Sequence, residues 1–330
     1  MKRLFLFLLA LLFSLFSFAQ GNLILTLADT VLTAEQVAAK NGNPTVLMYP
    51  LNMKDKIPQM QCKQTEGLGP FSVAADRQVY FSPGNLQYNA ASGSHQCADG
   101  TTQPGTWRFA GHQWDTIGTA NSNASSTYNG WIDLFSWGTS GWNSGANEYQ
   151  PWVASSNYED HNIGGSSENG LTGEYANADW GVYNQIDSDA PGTWRILTKD
   201  EWDYVFSGRA NAGNLCGQAT VNGVTGVILL PDDWVAPDGI TFIADYGVEF
   251  TTNQYDLSQW NKMEDAGAVF LPAAGYRGCS GSVYGVGQYG YCWSSTPNGS
   301  DYAWYFYFNS SKIYMRNDYR CGGISVRLVH

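Results

Sequence analysis

Positive charge is scarce in this 330-residue chain. Its 17 Lys and Arg face 29 Asp and Glu, a formal net charge of −12. Binding a phosphate backbone needs a cationic footprint, so no nucleic acid is expected as a partner. Histidine is scarcer still: His95, His112, His161 and His330 are the full set, and no HExxH segment holds any of them. The cysteines form no CxxC pair, which argues against a zinc ribbon or a thioredoxin-type exchange site. A GxSxG nucleophile elbow is also missing. The acids Asp232-Asp233, Asp238, Glu249, Asp256, Glu264-Asp265 and Asp301 lack the graded spacing of a calcium loop. No catalytic residue, metal ligand or cofactor is therefore assigned, although a structural calcium elsewhere stays open.

Long apolar runs are nearly absent too. The one that exists, Leu4–Phe16, follows Lys2-Arg3 and precedes Ser17-Phe18-Ala19. Basic end, apolar run and small residues at the cut make the pattern of a secretory signal, so residues 1–19 read as a signal peptide cleaved after Ala19. The run is shorter than the roughly 20 residues that span a bilayer, and no later stretch approaches that length. The expectation is an exported protein of periplasm, cell surface or medium, with no transmembrane anchor in the mature chain.

What is abundant is aromatic and glycyl: 13 Trp, 20 Tyr and 37 Gly. Rings need burial or a partner, and glycines permit tight turns and close approaches. Together they predict a loop-rich α+β domain and disfavour disorder. In an oxidising compartment the six cysteines, Cys62, Cys97, Cys216, Cys279, Cys292 and Cys321, permit disulfides. One bridge is expected among Cys279, Cys292 and Cys321, the pairing left open.

Residues 20–76 read as an N-terminal arm or small subdomain, with strands at Leu23–Leu27 and Val46–Tyr49 and a helix start near Leu32–Gln36. Residues 77–330 read as the main domain. Its clearest local signal is a strand, Thr193–Leu197, running into a helix. Thr198 can cap the free backbone donors while Glu201 occupies the reciprocal capping-box position. Trp202, Val205 and Phe206 then form an apolar stripe. A second helix is expected over Asp256–Met263. Strands at Ala268–Leu271, Tyr291–Ser294, Tyr302–Asn309, Lys312–Arg316 and Ser325–Val329 point to antiparallel pairing. The Gly/Ser/Asn/Trp-rich stretch from Asn121 to Glu168 reads as long irregular loop.

Four of these segments, Thr193–Trp202, Val269–Arg277, Gly290–Thr296 and Gly323–Val329, resemble in this order the Fibrobacter succinogenes major paralogous domain family of exported proteins from Bacteroides-like bacteria. The likeness covers roughly Val79 to His330. It implies a C-type lectin-like fold with two helices, an antiparallel or mixed sheet and long irregular loops. Related scaffolds occur in formylglycine-generating enzymes and in hypervariable binding proteins. The resemblance makes Trp194, Arg195, Thr198, Glu201, Trp202, Trp293 and Arg327 structural. Cys292 stands where the resemblance places another aromatic, and so marks a bridge particular to this chain.

A fold does not determine a function. The aromatics supply the functional expectation, because exposed rings stack on sugars or anchor protein interfaces. Trp137, Trp142, Trp152, Tyr289, Tyr302, Trp304 and Tyr305 are the candidate ligand-binding residues. The partner expected is a glycan or an envelope protein, bound without catalysis. A structural or adhesive envelope component is the second reading. An oxidase akin to formylglycine-generating enzymes, or a glycan-processing enzyme, is the third.

Overall fold

The computed structural model describes residues 68–330, except 154, 245, 246 and 248. The signal segment, the two N-terminal strands, the first helix start and Cys62 lie outside the described residues. In chain order the first strands are β1 (Leu68–Ala74), β2 (Arg77–Phe81), β3 (Leu86–Gln96), β4 (Thr102–Phe109) and β5 (Arg195–Ile196). Next come β6 (Cys216–Val221), β7 (Val224–Leu229), β8 (Gln254–Tyr255), β9 (Val269–Pro272) and β10 (Tyr276–Arg277). The last are β11 (Val283–Tyr284), β12 (Tyr289–Asn298), β13 (Tyr302–Asn309), β14 (Lys312–Tyr319) and β15 (Leu328–Val329). Among the described residues three α-helices join them: α1 (Trp180–Tyr183), α2 (Lys199–Asp203), extended by a π turn, and α3 (Leu257–Asp265).

This is an α+β fold of small, mostly antiparallel sheets, ordered β1-β2-β15-β5, β8-β6-β7-β9 and β12-β13-β14, with the hairpins β3-β4 and β10-β11. Among the described residues, β6 and β8 pair in parallel, and a parallel bridge joins Cys292 to Ser325. The helical content is a series of short helices and 3-10 turns, not two helices alone. β1 also lies ahead of residue 77, where the sequence places the start of the domain; it pairs with β2 through Leu68↔Phe81 and Phe71↔Val79.

Capping explains the two longer helices. Thr198 accepts from the Glu201 N–H while the Glu201 carboxylate accepts from the Thr198 N–H, and Asp256 and Gln259 repeat the arrangement at α3. The apolar stripe of α2 places Trp202, Val205 and Phe206 against Phe306, and the Trp202 and Phe306 rings stack at 5.0 Å. The segment 121–168 is irregular but packed: Ile132 bridges to Tyr88 and Phe135 to Ile324, and Trp137, His161 and Ile163 are buried. Glycine-rich backbone can run this close to a core because its side chains fill the gaps that regular elements leave.

Cysteine usage differs in one respect from the expectation. Cys279 and Cys321 form the bridge, whereas Cys292 is a free, buried thiol. Its side chain points to the core face of β12 beside Phe306 and Phe308, and burial pushes the thiol up to about 12. It fills space as a small hydrophobe.

Two carboxylates are also interior. Asp133 accepts from the Asn121 amide and the Ile117 N–H, and burial raises it to about 6. Asp179 caps α1, accepting from the Gly181 and Ile196 N–H groups, and burial raises it to about 7. An acid whose folded pKa exceeds its unfolded value costs nothing below the unfolded value. It destabilises progressively as pH rises toward the folded one. The deficit of Asp179→Asn, which loses one acceptor, should therefore shrink between pH 4 and 7 relative to the parent, by about 1 kcal/mol per pH unit. Urea midpoints across that range test this, and a constant deficit would contradict it.

Candidate functional site

The sheet β12-β13-β14 has two unlike faces. Cross-strand register sets Tyr291 opposite Tyr307 and Trp293 opposite Tyr305, then Tyr307 opposite Tyr314 and Tyr305 opposite Arg316. Because side chains alternate, Tyr289, Tyr291, Tyr305, Tyr307, Tyr314 and Arg316 share one face. Cys292, Phe306, Phe308 and Ile313 take the other face, under α2. The β10-β11 hairpin adds Tyr276 and Tyr284 beside the tyrosine face. Gly275 allows that approach. Its φ is +74°, and a Cβ there would lie 2.3 Å from the Tyr284 carbonyl oxygen.

The result is a tyrosine shelf. Ring centres lie 5.4 Å apart for Tyr276–Tyr291 and Tyr291–Tyr305, 5.3 Å for Tyr291–Tyr307 and 5.2 Å for Tyr307–Tyr314. Most of these contacts are tilted or edge-on, so the rings use one another's faces. The shelf is graded. Trp293 and Ala303 are sealed at one end, Tyr305 is 1% exposed in the floor, and Tyr284 is 50% exposed at the open side. Burial holds the Tyr291 and Tyr305 phenols well above their ordinary range, so they remain protonated donors at neutral pH. The Arg316 guanidinium sits 5.8 Å from the Tyr307 ring centre. Next to it on β14, the Asp318 carboxyl is raised by burial against the opposing pull of the Tyr319 N–H and Arg316.

The candidate residues divide. Tyr289 and Tyr305 both join the shelf, Tyr305 as floor and not as contact surface. Trp137 is fully buried: its indole N–H donates to the Ser294 carbonyl, and Arg320 lies over its ring at 4.8 Å. It offers no surface to a ligand. Trp142 and Trp152 are half-buried against the core, Trp152 stacking on Tyr88 at 6.1 Å. Tyr302 and Trp304 point to the face opposite the shelf. There Tyr302 stacks on Tyr319 at 4.7 Å, Tyr319 stacks on Tyr158 at 4.1 Å, and the Lys199 ammonium sits 5.2 Å from the Trp304 ring centre.

Most of the residues assigned structural roles lie inside, with Arg195 and Thr198 half-buried. Trp194, Trp202, Trp293 and Arg327 are buried; Trp194 donates to Asp189, Trp293 to the Phe135 carbonyl and Arg327 to Gln113. Arg195 and Thr198 both hold Glu201. Burial lowers Arg327 to about 10.

A cleft lined by Tyr88, His95, Trp107, Ser140, Gln150 and Trp152 encloses about 10 Å³, room for about one water. Among the described residues, no three His, Cys, Asp or Glu side chains gather where they could hold a metal ion. The Asp232 carboxylate is spent on Ser72, Gln78 and Arg209. Among the described residues no helix is long and apolar enough to cross a membrane.

Sequence reasoning did not single out Tyr276, Tyr314, Arg316 or Asp318. The alternation of Lys312, Tyr314, Arg316 and Asp318 along one strand was the available signal, but register is needed to set it beside Tyr305 and Tyr307.

Residues 249–329 match a family described as Domain of unknown function (DUF8237). That span contains α3 and every strand of the shelf. No curated protein and no solved structure matches the chain.

Proposed function

We propose that this chain is an exported, non-enzymatic recognition protein of C-type lectin-like fold, and that its tyrosine shelf binds a protein partner. The fold reading rests on the four-segment resemblance, on the pairing of β2 with the C-terminal β15, and on the strand–cap–helix unit at α2. The functional reading rests on one observation: a sheet face of clustered tyrosines, buried at Tyr291, Tyr305 and Tyr307, that opens toward Tyr284, Tyr289 and Tyr314 with Arg316 at its edge. Tyrosine supplies large contact area at low entropic cost, and with arginine it dominates protein-binding hot spots. A sugar ring needs a bare aromatic face. Here the faces are turned on one another, and the open rims and hydroxyls suit a protein surface better. The cysteines give the oxidase reading little to work with, since Cys279 is bridged and the Cys292 thiol is buried and neutral.

A panel of envelope proteins and glycans, with and without calcium, tests the proposal. Tyr314→Ala or Tyr284→Ala should weaken a saturable protein interaction by about tenfold or more while circular dichroism stays unchanged. Binding that survives both substitutions would remove the shelf from consideration. Glycan binding lost on Trp152→Ala would favour the sugar reading instead.

A further inference from the structure

Among the described residues β14 is an edge strand of its sheet. It pairs with β13 without interruption from Tyr302↔Tyr319 to Asn309↔Lys312. Among the described residues, no other backbone hydrogen bond reaches Lys312–Asp318. Edge strands are commonly blunted by proline, a bulge or a covering loop, because their free donors and acceptors template further pairing. β14 contains no proline and no register shift.

The side chains along this edge carry a self-complementary pattern. Lys312, Tyr314, Arg316 and Asp318 lie on the shelf face in that order. Reversed and laid against itself about Met315, the strand sets Lys312 opposite Asp318 and Tyr314 opposite Arg316, twice each. Symmetric pairing keeps all of them on one face, since partners on either side of the axis share their orientation. Opposite charges and a cation over an aromatic ring are both favourable cross-strand pairs. On the other face Ile313 meets Asn317, with no charge opposed. Lys312 and Arg316 are exposed, and Tyr314 and Asp318 are half-buried.

We propose that the occupant of this edge is a second copy of this chain. Two β14 strands pair antiparallel across a two-fold axis at Met315, fusing two three-stranded sheets into one. Such an interface is isologous, the commonest symmetry of soluble assemblies. Pairing at the edge leaves the tyrosine faces uncovered and joins them into one surface. The dimer goes beyond the binding role proposed above and does not depend on it.

Sedimentation of the purified chain, in the form the cell delivers after any N-terminal processing, should show a concentration-dependent dimer. Lys312→Asp sets Asp opposite Asp at both ends and should weaken it by about tenfold. Adding Asp318→Lys should restore the parent affinity. Within one chain those residues lie about 20 Å apart on an extended strand, so the rescue reports contact between copies alone. Should Asp318→Lys fail to fold, the exchange of Tyr314 and Arg316 serves the same purpose: Tyr314→Arg weakens the dimer and the double swap rescues it. A chain monomeric up to about 100 μM, or a dimer indifferent to Lys312→Asp, or one that neither swap rescues, overturns the proposal.

Discussion

Replacing Glu201 by alanine is expected to cost about 3 kcal/mol of stability, the lower end of the range for breaking a buried ion pair. Its side chain is only 5% exposed, yet it holds four donors. Arg195 donates to both carboxylate oxygens at 2.8 and 2.9 Å, Arg77 to Oε1 at 2.8 Å and the Thr198 N–H to Oε2 at 2.8 Å. Burial alone would raise this carboxyl. The Arg195 hydrogen bonds, the Thr198 N–H and the two guanidinium charges outweigh it and hold the group below the usual carboxylate range. Alanine removes the capping-box partner of α2 and strands Arg195, while both arginines keep partial access to water, which limits the loss. Because the folded pKa is depressed, this stabilisation is present above the unfolded value and disappears as pH falls through the folded one. Glu201→Gln should lose less, since its amide oxygen can still accept. Urea midpoints near pH 7 measure both, and a change below about 1 kcal/mol for alanine would show that the network contributes little.

The second large effect is expected from the disulfide. Cys279 and Cys321 close a loop with a sequence separation of 42, and chain-entropy bookkeeping puts that crosslink at about 4 kcal/mol. The bridge also has a local role. Cys279 follows β10 and Cys321 follows β14, so it pins the hairpin carrying Tyr276 and Tyr284 to the end of the sheet. Two backbone hydrogen bonds between Arg277 and Gly323, at 2.8 and 2.7 Å, act in parallel. The paired substitution of both cysteines by serine should therefore lower the midpoint and loosen the shelf while most of the core stays folded. Thiol reduction of the parent should reproduce it. Amide exchange over residues 276–284 gives the local readout. A midpoint unmoved by reduction would mean that the neighbouring pairing already supplies the constraint.

These two cases also mark what a linear sequence can disclose. The α2 unit was legible because Thr198, Glu201 and Trp202 act on one another across a few residues, and α3 at Asp256 for the same reason. Strands β12 to β14 of the shelf were legible from aromatic and apolar runs, whereas β10 and β11 were not; β12 extends further in both directions than its apolar centre, and β15 is far shorter than its run. Which aromatic is covered was not legible. Trp137 and Tyr305 are sealed by segments distant in the chain: Trp137 bonds to Ser294, and Tyr305 lies between Trp293 and Tyr291. Alternation gives a strand two faces but does not say which one meets a partner. β1 escaped notice because Leu68–Ala74 carries Gly69-Pro70 just after its first residue and alternates weakly, and pairing with β2 gives it a place.

The pairing at the outer sheet has a topological consequence. β1 and β15 flank the same strand: Leu68 and Val329 both face Phe81. Their ends are thus about 10 Å apart, two strand spacings. Both strands run antiparallel to β2 and therefore parallel to each other, so this sheet is complete only when segments from the two ends of the described residues have met on β2.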